Sequence, residues 1–168
     1  MAVEAATTTE RILGNDTYAR LIQWSTVASI HDAAGNCPAA LPIARTVRER
    51  MATRYGEDRQ ATLVETGNLG LKEYDCGDRA AALDYLHRAE DGLRRLYGEN
   101  NFAAHSFRYA LAGALAEQGR HREAREAAAS LDAAVLAGGS DDAAWTARLP
   151  ALQGKLMNLA GDAASGGG

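Results

Sequence analysis

Lysine, proline and aromatic residues are scarce in this chain of 168 residues. Only Lys72 and Lys155 are lysines, and aromatic residues make up 6% of a composition that is 46% hydrophobic. Alanine supplies much of the apolar content, and it is the best helix former, as leucine, arginine and glutamate are good ones. With only three prolines to interrupt helices, the composition predicts an all-α protein.

Neither a membrane nor a nucleic acid is an expected partner of this chain. No stretch of 18 apolar residues is present, so nothing in the sequence is typical of a membrane span. The start, MAVEAATTTERIL, lacks the basic and apolar regions of a signal peptide. The net charge of -4 argues against a phosphate-binding surface. We therefore expect neither membrane insertion nor nucleic-acid binding by this chain.

Signals of catalysis and of metal or cofactor binding are also missing. The four histidines, His31, His87, His105 and His121, show no ligand spacing with each other or with the cysteines. No glycine-rich phosphate loop and no set of nucleophile, base and orienting acid can be recognised. We expect no enzymatic activity, no bound metal and no cofactor.

Small residues recur at intervals of 42 positions. Self-similarity at a period of about 20 to 50 residues is typical of stacked supersecondary units that present an extended surface. The series are Gly35, Gly77, Gly119 and Gly161; Ala28, Gly70, Ala112 and Gly154; Ala40, Ala82 and Ala124; and Gly14, Gly56 and Gly98.

Each repeat has the pattern of two helices joined by a glycine turn. In the second repeat, ATLVETGNLGLKEYD and RAAALDYLHRAEDGLRRLYGE are separated by CGD, which predicts an αα-hairpin. Steps of three and four residues predict one apolar stripe, namely Ala82, Leu86, Ala89, Leu93 and Leu96. The register predicts a partial helix before Gly14 and helices over 17–34, 38–54, 59–75, 79–96, 102–118, 121–137 and 142–160.

The same positions carry a resemblance to a known family. The segment from Asn68 to Gly70, the turn glycine Gly77, AAAL from Ala80 to Leu83 and LYGENN from Leu96 to Asn101 resemble tetratricopeptide repeats. The 42-residue type is similar to that of kinesin light chains and many bacterial regulators. The resemblance implies a right-handed α-solenoid with about three full repeats and partial terminal helices. By repeat length alone, HEAT and armadillo repeats are the alternatives.

The resemblance also implies a domain organisation. We expect one superhelical domain over residues 1–161, with repeats at about 17–58, 59–100 and 101–141, a capping helix at 142–160 and a disordered tail at 162–168. We further expect the chain to be a piece of a longer bacterial regulatory protein. At the aromatic position after the turn glycine the chain departs from the family, with Cys37, Arg79 and His121.

In the family, the first helix of each repeat lines a concave groove that binds a peptide. Asn68 offers both a donor and an acceptor to a peptide backbone. Tyr74 and Tyr109 can act as rigid anchors, and Arg148 and Lys155 can bind an acidic group. The alternative is that Asn68 bonds a neighbouring helix and the tyrosines pack in the core. The implied groove residues are Ser25, Ser29, Asn68, Leu71, Tyr74, Tyr109, Arg148 and Lys155.

The two cysteines lie equally far along the chain from a turn centred between Gly56 and Glu57. Because the helices on either side of that turn run antiparallel, the spacing predicts that Cys37 and Cys76 are neighbours. Either a disulfide or a pair of reduced, half-buried thiols satisfies this geometry. A disulfide would indicate a periplasmic or other extracytoplasmic location, and reduced thiols would indicate the cytoplasm.

Taken together, the sequence favours a protein-interaction scaffold with a protein or peptide partner in its groove. The alternative is the sensory or effector domain of a larger bacterial signalling protein, such as a winged-helix transcriptional regulator or a Ser/Thr kinase.

Overall fold

The computed structural model describes residues 17–99 and 101–137, and this part of the chain is helical without strands. The prediction of an all-α protein is confirmed. In chain order the helices are α1 (Tyr18–Ala33), α2 (Cys37–Tyr55), α3 (Gln60–Asp75), α4 (Arg79–Tyr97), α5 (Phe102–Glu117) and α6 (His121–Ala137).

The six helices begin and end within one residue of the bounds that the repeat predicts. The remaining predictions, a partial helix before Gly14, a capping helix at 142–160 and a disordered tail at 162–168, lie outside the described residues.

Glycines close five of these helices. Gly35, Gly56, Gly77, Gly98 and Gly119 have positive φ angles, and they lie 21 residues apart. The backbone of Gly56, for example, adopts a φ of 98° directly after the last residue of α2. A side chain would be strained in this conformation, so glycine is the residue that ends a helix there. The 42-residue repeat is therefore two helices, each closed by a glycine.

The chain forms two compact units with a boundary between Gly92 and Leu93, inside α4. In the first unit α1 packs against α2 and α2 against α3, while α1 and α3 also touch. In the second unit α5 packs against α6. Both α1–α2 and α5–α6 are the helical hairpins that the sequence predicts.

The core of the first unit is made of two clusters. Leu21, Val47 and Met51 form one cluster, against which Trp24 packs. The other cluster contains Ala28, Ala44 and Leu69. Small side chains at the repeat's helix contacts allow this approach, and Ala28 is fully buried.

The apolar stripe of α4 is mostly confirmed. Four of its residues are buried, namely Ala82, Leu86, Ala89 and Leu93. The prediction is wrong for Leu96, which is 49% exposed. Leu96 lies in the last turn of α4, one residue before the helix ends. Apolar periodicity within one helix does not show how far along that helix a neighbouring helix covers it.

Gly70→Leu is expected to destabilise the protein by about 1 to 3 kcal/mol through overpacking. A Cβ atom at Gly70 would lie 3.0 Å from Cγ and 3.1 Å from the backbone nitrogen of Leu86. The matched control is Gly113→Ala, because a Cβ atom at that helical glycine meets nothing within 4 Å. The control should stabilise the protein by about 0.5 to 1 kcal/mol. Thermal or urea unfolding measures both changes, and equal stability of the two variants would contradict the assigned helix contact.

Candidate functional site

Helix α3 is buried on more than one side. It packs against α2 and touches α1, and its Gly70 lies against Leu86 of α4. Three charged side chains on this helix are buried as well, Glu65, Lys72 and Glu73, with exposed fractions of 6%, 4% and 1%. Buried charges require partners, and the contacts of these three side chains are therefore the starting point for a candidate site.

Glu65 is the centre of a polar cluster between α1 and α3. Ser25 Oγ donates a hydrogen bond of 2.6 Å to Glu65 Oε2, and the Asn68 amide bonds the same carboxyl group. Ser29 Oγ donates to the backbone oxygen of Ser25 at 3.1 Å. The structure thus brings two of the predicted groove residues, Ser25 and Asn68, to a residue that the sequence did not single out, while Ser29 bonds the backbone of its own helix. We call Ser25, Glu65 and Asn68 the Glu65 cluster.

Burial is the main influence on the acidity of Glu65. Loss of solvent raises the pKa of the Glu65 carboxyl above its ordinary value, while hydrogen bonds from Ser25 and Asn68 and the charge of Lys72 act in the opposite direction. The Lys72 ammonium is anchored on the same helix, where Nζ donates to the backbone oxygen of Asn68 at 3.5 Å. The Glu65 carboxyl group is therefore stabilised by hydrogen bonds from neighbouring side chains and not by solvation.

Two further predicted groove residues lie on the same helix. Asn68, Leu71 and Tyr74 occupy successive turns of α3, and each is half-buried. The guanidinium carbon of Arg79 lies 4.0 Å from the centre of the Tyr74 ring, a distance typical of a cation–π interaction. This contact places a cation over the ring of Tyr74. We call Ser25, Ser29, Asn68, Leu71 and Tyr74 the groove face, after the groove that the tetratricopeptide resemblance implies.

The remaining predicted groove residues do not enter this face. Tyr109 belongs to the second unit, where it is half-buried on α5. Arg148 and Lys155 lie outside the described residues. The candidate site is accordingly confined to α1 and α3 of the first unit.

Sequence reasoning missed Glu65 for a physical reason. A glutamate in an amphipathic pattern is normally assigned to the solvent side, and its partner Ser25 lies 40 residues away. The one local signal was the three-residue interval between Glu65 and Asn68, which places both side chains on one side of a helix.

The two cysteines lie next to each other, as the spacing predicts. Cys37 and Cys76 are at disulfide-bonding distance, with Cα atoms 5.6 Å apart, inside the range that disulfides require. Both residues are half-buried. The bond joins the first residue of α2 to the residue that follows α3.

Within residues 17–99 and 101–137 no group of three or more histidine, cysteine, aspartate or glutamate side chains is placed to hold a metal ion. The same ranges contain no helix that is both long and apolar enough to cross a membrane.

Glu65→Gln is expected to make the protein more stable than the wild type at pH 7, because the charged carboxylate is unfavourable where it is buried. A raised folded-state pKa means that the folded protein holds the proton more tightly than the unfolded chain does. The wild type should therefore gain stability relative to the variant as the pH falls through the folded pKa of Glu65 toward its ordinary value. Urea unfolding at several pH values measures this difference. The exposed Glu49→Gln on α2 is the control, and a difference independent of pH would contradict the assignment.

No family model matches the chain, and no curated protein is significantly similar to it. Neither comparison identifies a tetratricopeptide domain.

Proposed function

We propose that this chain is a protein-interaction module of the tetratricopeptide type, an α-solenoid that holds an extended peptide against its groove face. Its support is the 42-residue repeat, the helices that end at glycines spaced by 21 residues, and the polar and aromatic side chains on α1 and α3. The first helices of the first two predicted repeats are the ones that carry these side chains.

The Glu65 cluster is the observation that carries the proposal. Within the cluster, Glu65 bonds the Asn68 amide, which restricts the amide before any ligand arrives. A side chain fixed in advance loses less conformational entropy on binding. Because Asn68 remains half-exposed and an amide has two donors and an acceptor, it can bond a peptide backbone while it keeps its contact with Glu65.

Leu71 and Tyr74 give the proposed ligand its chemistry. Leu71 offers an apolar contact, and Tyr74 offers a ring that Arg79 covers on one side. Tyrosine combines a large apolar surface with a polar tip and is frequent where binding energy is concentrated. The ligand that this arrangement suits is an extended segment with an apolar or aromatic side chain one or two residues beyond the backbone group that Asn68 binds.

A second candidate function is favoured by the cysteines. In this function the chain is the sensory or effector domain of a larger bacterial signalling protein and lies outside the cytoplasm. The disulfide-bonding distance of Cys37 and Cys76 supports it, since stable disulfides persist mainly in oxidising compartments.

Asn68→Ala is expected to weaken peptide binding about tenfold, the effect of losing one to two hydrogen bonds at about 1 kcal/mol each. The probe is a peptide selected from a displayed random library against the wild-type protein, and calorimetry measures its affinity. Gln23→Ala is the matched control, because Gln23 is an exposed amide on α1 outside the groove face.

Equal loss of affinity in both variants would contradict the groove-face assignment, as would unchanged affinity in Asn68→Ala. Circular dichroism of each variant separates a binding defect from unfolding. Tyr74→Phe adds a finer test, because it keeps the ring over Arg79 and removes only the hydroxyl group.

The second candidate function predicts that Cys37 and Cys76 are oxidised in the native cell. Rapid acid quenching followed by alkylation with a maleimide-polymer reagent should leave the protein unshifted on a gel, while prior reduction should add two reagent molecules. A chain that is fully alkylated without reduction would contradict an extracytoplasmic location.

A further inference from the structure

The Cys37–Cys76 pair closes one end of the first unit. Cys37 begins α2 four residues after the last residue of α1, and Cys76 directly follows α3. The bond therefore ties the α1–α2 turn to the C-terminal end of α3, with a Cα separation of 5.6 Å. Its two residues are half-buried and so retain some access to solvent.

Two carboxylates lie at the same end. Asp32 is the second-last residue of α1 and Asp75 is the last residue of α3, and their charges interact. Asp32 Oδ1 is buried without a hydrogen-bond partner. Both carboxylates also lie at helix C-termini, where the helix dipole makes negative charge unfavourable.

Only one of the charges that act on Asp75 comes from α1. Partial loss of solvent and the Asp32 carboxylate raise the pKa of Asp75, and Lys72 and Arg79 lower it. Lys72 is on α3 itself and Arg79 begins α4, so those attractions do not depend on the position of α1. The Asp32 repulsion does depend on it, because it grows as the two helix ends approach.

We propose that the Cys37–Cys76 disulfide is a reversible restraint that holds the acidic C-terminal ends of α1 and α3 together. A dithiol reductant releases these ends and loosens the last turns of α3, where Leu71 and Tyr74 lie. Redox state thereby regulates peptide affinity at the groove face. This last step rests on the proposed function, whereas the release of the helix ends does not.

The redox step is a thiol–disulfide exchange. A thiolate of the dithiol attacks one sulfur of the pair, the sulfur–sulfur bond breaks, and its electron pair leaves with the other cysteine. The second thiol of the reductant then displaces the first cysteine. Two protons pass from the reductant to Cys37 and Cys76, which end as thiols, and the dithiol ends as a disulfide.

Redox equilibration of the full chain in mixtures of reduced and oxidised dithiothreitol tests the restraint. Asp75→Asn and Asp32→Asn should each require about threefold more reduced reagent for half-reduction, the size of a partly exposed charge interaction. The double variant should shift no further than either single one, since one neutral partner already removes the repulsion. Asp84→Asn, an exposed carboxylate on α4, should not shift.

Amide hydrogen exchange locates the released segment. Reduction of the wild type should speed exchange in residues 29–34 and 70–76, with helix α5 unchanged as an internal reference.

Three results would overturn the proposal. They are reduction that occurs only with overall loss of helix, equal exchange rates in the oxidised and reduced protein, and equal half-reduction points in all variants. The double variant Cys37→Ser, Cys76→Ser should show the exchange rates of the reduced wild type. If this variant does not fold, the reduced wild type alone provides the comparison with the oxidised protein.

The selected peptide tests regulation separately. Affinity should fall at least threefold on reduction and be restored on reoxidation. Equal affinity in both states would overturn the regulatory step alone. If no peptide binds the oxidised protein, the proposed function fails, but the exchange and equilibration results still decide whether the disulfide restrains the helix ends.

Discussion

A backbone reversal after each of the first five helices is the constraint on which the described fold depends. Glycines at intervals of 21 residues adopt positive φ angles, which limits five of the helices to 16 or 19 residues. Helices of similar length, joined by turns of a few residues, pack beside their neighbours. Small residues at the contacts then set how closely they approach, as at Ala28 and Gly70.

Burial of polar groups on α3 is the second feature of the fold with functional consequences. A core of leucine and alanine alone would satisfy the packing, yet α3 contains Glu65, Lys72 and Glu73 in buried positions. Each is coupled to a partner: Glu65 to Ser25 on α1, Lys72 to the backbone oxygen of Asn68, and Glu73 to Arg45 on α2 through contacts of 2.7 and 2.8 Å. Such networks fix side-chain orientation more than they add stability. Orientation is what a half-exposed residue such as Asn68 needs in order to bind a ligand.

The disulfide and the Glu65 cluster act on different parts of the same helix. Ser25 and Glu65 connect α1 to the N-terminal half of α3 through a hydrogen bond, whereas Cys76 connects the C-terminal end of α3 to the beginning of α2. Between these two attachments lie Asn68, Leu71 and Tyr74. The proposed binding residues therefore occupy a helical segment whose two ends are restrained by different chemistry, one reversible by a reductant and the other sensitive to protonation.

The sequence by itself determined the helices and the turns between them, because glycine position and apolar periodicity are local properties of the chain. It also determined that Cys37 and Cys76 are neighbours, since an antiparallel pair fixes which residues face each other. Only the tertiary structure decided that Glu65 is buried against Ser25, that Arg79 covers Tyr74 and that Leu96 is exposed. Those outcomes depend on which side chains other helices supply at each contact, and periodicity within one helix contains no information about its neighbours.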